Sequence, residues 1–163
     1  MSTPLAIRRI GNAELPMLEN FLYHAIFIPQ GAMPITRDVI YNPQCYIYVD
    51  GFGDKSGDFG LAAEFGGNPV GAAWVRIIPA FGHVDNETPE LAISVLSEYR
   101  SQGIGTILMT RLFEILAENG YAQTSLSVQR ENPAVRFYQR LGYKIFRESD
   151  EEYIMLKDLC GES

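Results

Sequence analysis

The stretch LAISVLSEYRSQGIGTILM, Leu91 to Met109, carries the decisive part of the fold in miniature. Leu91, Ile93 and Val95 alternate with Ala92 and Ser94, as a half-buried strand requires. After Arg100-Ser101-Gln102-Gly103-Ile104-Gly105 the apolar spacing switches to three and four. Ile104, Ile107, Leu108, Leu112, Ile115 and Leu116 then fall on one helical face, which Asn119-Gly120 closes with a left-handed cap. A strand thus runs through two glycines straight into the best signalled helix of the chain. Glycines at a helix start have a physical use. Lacking a Cβ, they let a ligand approach the backbone where the N–H groups of the first turn point outward with the positive end of the helix dipole, so an anion is the natural occupant. Tight packing between elements would use the same glycines, and Arg100, the positive charge at this mouth, has Glu98 within reach as a surface partner.

Upstream of this segment, Leu61 to Phe65 and Val70 to Ile78 are apolar, β-prone runs joined by Gly66-Gly67-Asn68-Pro69, the pattern of an antiparallel hairpin. Pro79 to Pro89 reads as a loop carrying His83, Asp85 and Glu87. Nearer the start, Leu5 to Ile10 is an edge strand and Asn12 a helix N-cap. Leu15, Leu18, Phe21, Leu22, Ala25 and Ile26 form one apolar stripe, with Pro16 tolerated in the first turn and Pro29 and Gly31 ending it. Thr36 to Tyr41 is expected to form a short helix capped by Thr36. Asp50 to Gly60, dense in glycine and acid, is a wide loop. Downstream, Thr124 to Val128 is a strand, and Asn132-Pro133 opens a helix that stops at Gly142. Tyr143 to Phe146 and Tyr153 to Leu156 are strands around the acidic turn Glu148 to Glu152. The predicted class is α+β, a mixed sheet with helices covering its faces, in one domain over residues 1–163.

The charge sum is 13 basic minus 20 acidic residues, or −7, and no basic run occurs. That excludes a general nucleic-acid binder, which needs clustered Lys and Arg to neutralise phosphates. Cys45 and Cys160 stand far apart without metal-ligand spacing, so they read as structural thiols in a reducing compartment, and no metal is expected. No stretch approaches the roughly 18 apolar residues of a membrane span, so a cytoplasmic protein without membrane contact is expected. A dinucleotide fingerprint would need a third glycine where Leu108 stands, and a Walker A loop would need Gly-Lys-Ser/Thr, which is absent.

The loop Arg100-Ser101-Gln102-Gly103-Ile104-Gly105 resembles the signature Arg/Gln-x-x-Gly-x-Gly/Ala of the GNAT superfamily, the acyl-CoA-dependent N-acyltransferases, in which it follows the fourth strand. The later segment ENPAVRFYQRLGYKIF, Glu131 to Phe146, is similar to the second signature of that family through Asn132, Tyr138, Leu141, Gly142 and Tyr143. The two stand in the family's order, and the resemblance covers about residues 60 to 157. It implies a mostly antiparallel central sheet of about six to seven strands, splayed between the fourth and fifth. It also implies acetyl-CoA as co-substrate and a small amine or a protein amino group as acceptor, attacked directly without a covalent enzyme intermediate. A homodimer fits the family's habit. By the same resemblance the backbone of Ser101, Gln102, Gly103, Ile104, Gly105 and Thr106, beside Arg100, would hold the CoA diphosphate. Ile93, Ser94 and Val95 would bond the pantetheine amides as an added strand does.

The resemblance makes Tyr138 the candidate general acid for the departing thiolate, where spacing alone would read a packed helical aromatic. Asn132 caps its helix and is a candidate cofactor ligand. A primary ammonium, with a pKa of about 10.4, must lose a proton before it attacks. Glu90, which opens the strand and shares a face with Ala92 and Ser94, is the candidate base; a solvent-exposed charge at a strand end is the other reading. His83 and Asp85 are loop alternatives, and where other relatives place a Glu on the following strand this chain has Ser127. Phe21, Tyr23, His24, Phe27, Met33 and Tyr41 make the acceptor side aromatic, most of them expected in the core. A catalytically silent acyl-CoA-binding sensor or scaffold is the alternative function.

Overall fold

Gly66 and Gly67, at φ 58° and 84°, form a two-residue turn open to residues that tolerate positive φ. The turn folds Phe59–Phe65 (β2) back onto Asn68–Arg76 (β3). Asn68 and Pro69 therefore belong to the second strand, not to the connection expected from the sequence, and a bulge between Ala63 and Glu64 adjusts the register. The computed structural model describes residues 4–11 and 13–159, so the expected Asn12 cap and Cys160 lie outside the described residues.

Five further strands complete the sheet: Leu5–Arg9 (β1), Glu90–Val95 (β4), Gln123–Gln129 (β5), Lys144–Glu148 (β6) and Glu152–Asp158 (β7). Their order is β1-β2-β3-β4-β5-β7-β6. Neighbours are antiparallel except β4 and β5, which run parallel and meet in register at Glu90 and Ser125 alone. Beyond that pair the two strands part, which is the splay the resemblance implied.

Among the described residues there are four α-helices, Leu15–Ala25 (α1), Pro43–Tyr46 (α2), Ile104–Glu118 (α3) and Ala134–Arg140 (α4), of which α1 and α3 pack on the sheet. Strand alternation sorts the core into two clusters. Ala62, Ala72 and Trp74 pack with Leu18, Phe21 and Leu22 of α1 on one face, while Leu61, Ala63, Ala73, Val75 and Leu91 pack with Leu108, Leu112 and Leu116 of α3 on the other. Each fully buried aliphatic or aromatic side chain here contributes about 1.5–3 kcal/mol through area removed from water. In α3 the expected stripe needs one correction. Met109 is fully buried and Ile107 is 37% exposed, because the i, i+4 row from Ile104 to Leu116 points at the sheet and leaves Ile107 on its flank.

Between α1 and β2 the reading was least accurate. Arg37–Tyr41 is a short 3-10 turn whose Thr36 makes no capping bond, the hydroxyl turning to Asp38. The short helix α2 is not among the expected elements, and Asn42-Pro43 is its local signal. Asn42 Oδ1 accepts from Gln44 N–H at 3.0 Å and Pro43 occupies the first turn. Phe21 is core as expected, but Met33 and Tyr41 are 83% and 58% exposed.

Candidate functional site

Arg76 on β3 is 2% exposed, and a cation so placed needs partners. Its guanidinium pairs with Asp58 at 2.9 Å and donates to the carbonyls of Ile47 at 3.0 Å and Asp50 at 2.7 Å. Trp74 donates its indole N–H to the Tyr48 carbonyl at 2.9 Å. These bonds hold the segment after α2 against the sheet and bring the Tyr48 hydroxyl onto a carboxylate oxygen of Glu90, to which it donates. The same oxygen, Oε2, accepts from Gly82 N–H at 2.8 Å. The Gly82 carbonyl in turn accepts from Ser125 Oγ at 2.7 Å. A Cβ on Gly82 would stand 2.8 Å from Glu90 Oε2 and 2.9 Å from the Leu126 backbone, so glycine is what lets the loop press down on this point.

Glu90 is consequently 2% exposed, and its other oxygen, Oε1, has no hydrogen-bond partner. This replaces the reading of an exposed charge at a strand end. Burial pushes its pKa up to about 7, against the opposing pull of the Tyr48 and Gly82 bonds, while Glu152 adds to the rise and His83 detracts from it. The Tyr48 phenol is itself pushed well up, by burial first and by Glu90 second, so it stays protonated and donates. Tyr48 carries no signal in the sequence. It lies 42 residues from Glu90, and only tertiary packing joins them.

The loop alternatives are occupied locally. A His83 ring nitrogen lies 2.9 Å from the Ile78 carbonyl. Asp85 accepts from Glu87 N–H at 2.8 Å and from the Thr88 hydroxyl at 2.7 Å. On β5, Ser127 donates its hydroxyl to the Glu152 carboxylate, so an acid from β7 stands beside the serine.

A second set of groups lies across the sheet. Gly103, at φ 82°, caps α3 from the left-handed region. Its carbonyl accepts from Ile107 N–H at 3.1 Å, so the N–H groups of Ile104, Gly105 and Thr106 precede the first intrahelical bond and point out of the helix start. Ser101, Gln102 and Gly103 are exposed, and Ser101 holds a positive φ of 63°. Gly105 serves close packing, since a Cβ there would sit 3.2 Å from Phe137 of α4 and 3.8 Å from Ile93 of β4. That residue ties the end of β4, the start of α3 and the middle of α4 to one point. Arg100 is not paired with Glu98; its Nε donates to the Val95 carbonyl at 2.9 Å.

Leu96 N–H bonds Val70 on β3 at 2.9 Å. By the two-residue alternation of a strand, the backbone groups of Ile93 and Val95 therefore face the side of β5, beyond the last pairing at Glu90 and Ser125. Ser94 lies on the opposite parity, 5% exposed, with an unpartnered hydroxyl. On α4, Asn132 Oδ1 accepts from Ala134 N–H at 2.9 Å, the expected cap. Tyr138 is half-buried between Phe137 and Tyr143, its ring centroid 5.5 Å and 5.8 Å from theirs, and burial pushes its pKa up to about 12.

Glu90 shares its face of β4 with Ala92, which packs in the α1 cluster, whereas Tyr138 packs in the α3 cluster on the other face. A carboxylate able to take a proton near neutrality and a phenol that stays protonated thus lie on opposite faces of the sheet. The cavity of about 490 Å³ lined by Arg130, Asn132, Pro133, Arg136 and Tyr153 meets this site only at Asn132.

Comparison with known proteins agrees with this architecture. Residues 27–143 match the family described as the acetyltransferase (GNAT) family. A protein of Bacillus subtilis strain 168 named as an acetyltransferase is 29% identical over 132 residues, 80% of this chain and 76% of that one. The PaiA N-acetyltransferase of Thermoplasma acidophilum, solved in complex with coenzyme A, superposes with a TM-score of 0.72 at 19% identity, covering 95% of this chain and 99% of that one. YncA of Salmonella typhimurium, solved with acetyl-CoA, gives 0.68 at 17% identity over 99% and 97%. At these identities the two solved structures share the fold.

Proposed function

The chain belongs to the GNAT acetyltransferase family, and from that premise we propose that it moves the acetyl group of acetyl-CoA to an amine by direct attack within a ternary complex. The observation that carries this reading is Glu90, buried at the point where the strands part and titrating at about 7. Taking a proton from an alkyl ammonium costs about 5 kcal/mol with a base of that pKa, against about 8 kcal/mol for an ordinary glutamate. Burial therefore makes Glu90 a far better general base at neutral pH in this reading, while Tyr48 and Gly82 fix one oxygen and leave Oε1 without a partner.

Acetyl-CoA would supply the activated thioester. Its diphosphate suits the N–H groups of Ile104, Gly105 and Thr106, with Ser101, Gln102, Gly103 and Arg100 around them, and its amide groups suit the edge at Ile93 and Val95, while the backbone of Ser94, turned to β3, is not available to it. Tyr138, protonated at neutral pH, is placed in this reading to give its proton to the departing sulfur, and Asn132 orients the start of its helix. The reading includes a cytoplasmic location and a homodimer, which cell fractionation and sedimentation of the purified chain test. Release of free thiol from acetyl-CoA in the presence of a broad amine panel tests the chemistry. Stabilisation by acetyl-CoA with silence across the panel would leave the acyl-CoA sensor in its place.

A further inference from the structure

Ser125, Ser127 and Gln129 share one face of β5, and the register sets Glu152 of β7 beside them, across from Gln129. This is the face of Glu90, because Leu126, Val128 and Met155, of the other parity, pack into the α3 cluster. Glu152 lies close enough to raise the proton affinity of both Glu90 and Tyr48. Two carboxylates thus look into one region of the opening, and among the described residues neither has a Lys or Arg at ion-pair distance. Such a pair would ordinarily be relieved by a cation.

A ligand is indicated independently by the unsatisfied groups around that region. Glu90 Oε1 and Ser94 Oγ, on residues 2% and 5% exposed, have no partners. Between them Ala92 in mid-strand stays half-buried, with only a methyl group over the sheet. This stretch of β4 therefore has an unpartnered acceptor oxygen at one end and an unpartnered hydroxyl at the other, with Glu152 on the same face beyond β5. Ser127 donates to Glu152, which fixes the carboxylate across the gap.

We propose that Glu152, oriented by Ser127, is the binding carboxylate for the acceptor, and that the acceptor is an alkyl ammonium with no carboxylate beside its reacting nitrogen. This rests on the acetyl-transfer reading, in which Glu90 removes the proton. Glu152 holds the positive charge during docking, and a neighbouring carboxylate on the ligand meets two like charges and is rejected.

The test compares butylamine with 2-aminopentanoate, which is butylamine bearing a carboxylate on the carbon next to nitrogen, in wild type, Glu152→Gln and Ser127→Ala. The expected result is a preference for butylamine of about tenfold or more in kcat/KM. Glu152→Gln should raise KM for butylamine about tenfold with kcat nearly kept and narrow that preference, and Ser127→Ala should raise KM less. An unchanged KM in Glu152→Gln, or equal use of both amines by wild type, overturns the proposal. If Glu152→Gln no longer binds CoA and is misfolded, Glu152→Asp takes its place and should give an intermediate KM. If no amine is turned over, acetyl transfer fails separately, and calorimetric titration of butylamine into the CoA-saturated protein decides. Binding lost on Glu152→Gln upholds the site; binding absent from wild type, or equal in both, overturns it.

Discussion

Replacing Glu90 by Gln should make the protein more stable above neutral pH, the reverse of what loss of a doubly hydrogen-bonded side chain suggests. The carboxyl titrates at about 7 in the fold and near 4.5 when exposed. Below the lower value both states are protonated and the group has no effect on pH dependence. Between the two the unfolded chain ionises first, so wild-type stability falls as pH rises, and above 7 the full cost remains. At about 1.4 kcal/mol per pH unit, ionised Glu90 costs the fold about 3 kcal/mol at alkaline pH. Gln cannot ionise, and its amide oxygen can still accept from Tyr48 and Gly82. The stability gap between Glu90→Gln and wild type should therefore widen by about 2 to 3 kcal/mol between pH 5 and pH 8. For a chain of this size that is on the order of 6 to 10 °C in Tm. Urea unfolding of both proteins across that range measures it, and taking the difference cancels the other titrating groups. Parallel stability curves would refute the buried, proton-hungry Glu90 on which the catalytic reading rests. The rate carries the mirror image: wild-type kcat/KM should rise through pH 7, and in the variant that step should vanish.

Tyr138→Phe should lower kcat on the order of 100-fold with the dissociation constant for CoA nearly intact, since it removes a proton donor and leaves the packing against Phe137 and Tyr143; equal losses in both quantities would indicate a packing role instead. Gly82→Ala should destabilise by about 2 kcal/mol or more in chemical denaturation and shift the acid limb of the rate profile, because its Cβ meets Glu90 Oε2 and the Leu126 backbone below 3 Å. Asp58→Ala should cost about 3 to 5 kcal/mol, measured the same way, because it leaves the Arg76 guanidinium buried without its counter-charge.

What the sequence made legible is what local rules govern. The switch from alternation in Leu91–Val95 to the helical stripe after Ile104 marked β4, the loop and α3, and Asn132-Pro133 marked α4, because each signal lies within a few residues of the element it sets. Strand bounds differ from the expected ones by at most two residues, and the hairpin connection shortens to Gly66 and Gly67, because pairing with a neighbour and not composition ends a strand. The site divided in the same way. The glycine loop was readable, although Gly105 packs against Phe137 while Gly103 supplies the left-handed cap. Glu90 was found as a position but not as an environment. Its burial depends on Tyr48, Gly82 and the Arg76–Asp58 pair, partners from 8 to 42 residues away that no periodicity links. Glu152 was passed over inside an acidic turn, where one more carboxylate carries no information until β7 is laid beside β5.

In the proposed reading the opening between β4 and β5 is what would let an amine on the side of Glu90 and a thioester on the side of Tyr138 meet. In a continuous sheet, Glu90 on the α1 face and Tyr138 packed against the α3 cluster would be separated by an unbroken layer of backbone. The backbone groups of Ile93 and Val95 would then be satisfied by β5, leaving nothing for a ligand to pair with. Instead β4 is committed to β3 and β5 to β7, and the parallel contact is limited to Glu90 and Ser125. Gly82 closes that end of the gap, bonding Glu90 through its N–H and Ser125 through its carbonyl, so the strands separate on one side only. Apart from the Val95 carbonyl, which accepts from Arg100 Nε, the edge of β4 beyond Glu90 is left for water or a ligand, since buried backbone groups seldom stay unpaired. In the proposed reading an extended thioester carrier would meet that need from the α3 side and an amine would reach the same gap from the side of Glu90, which would make the structural defect and the catalytic geometry one feature.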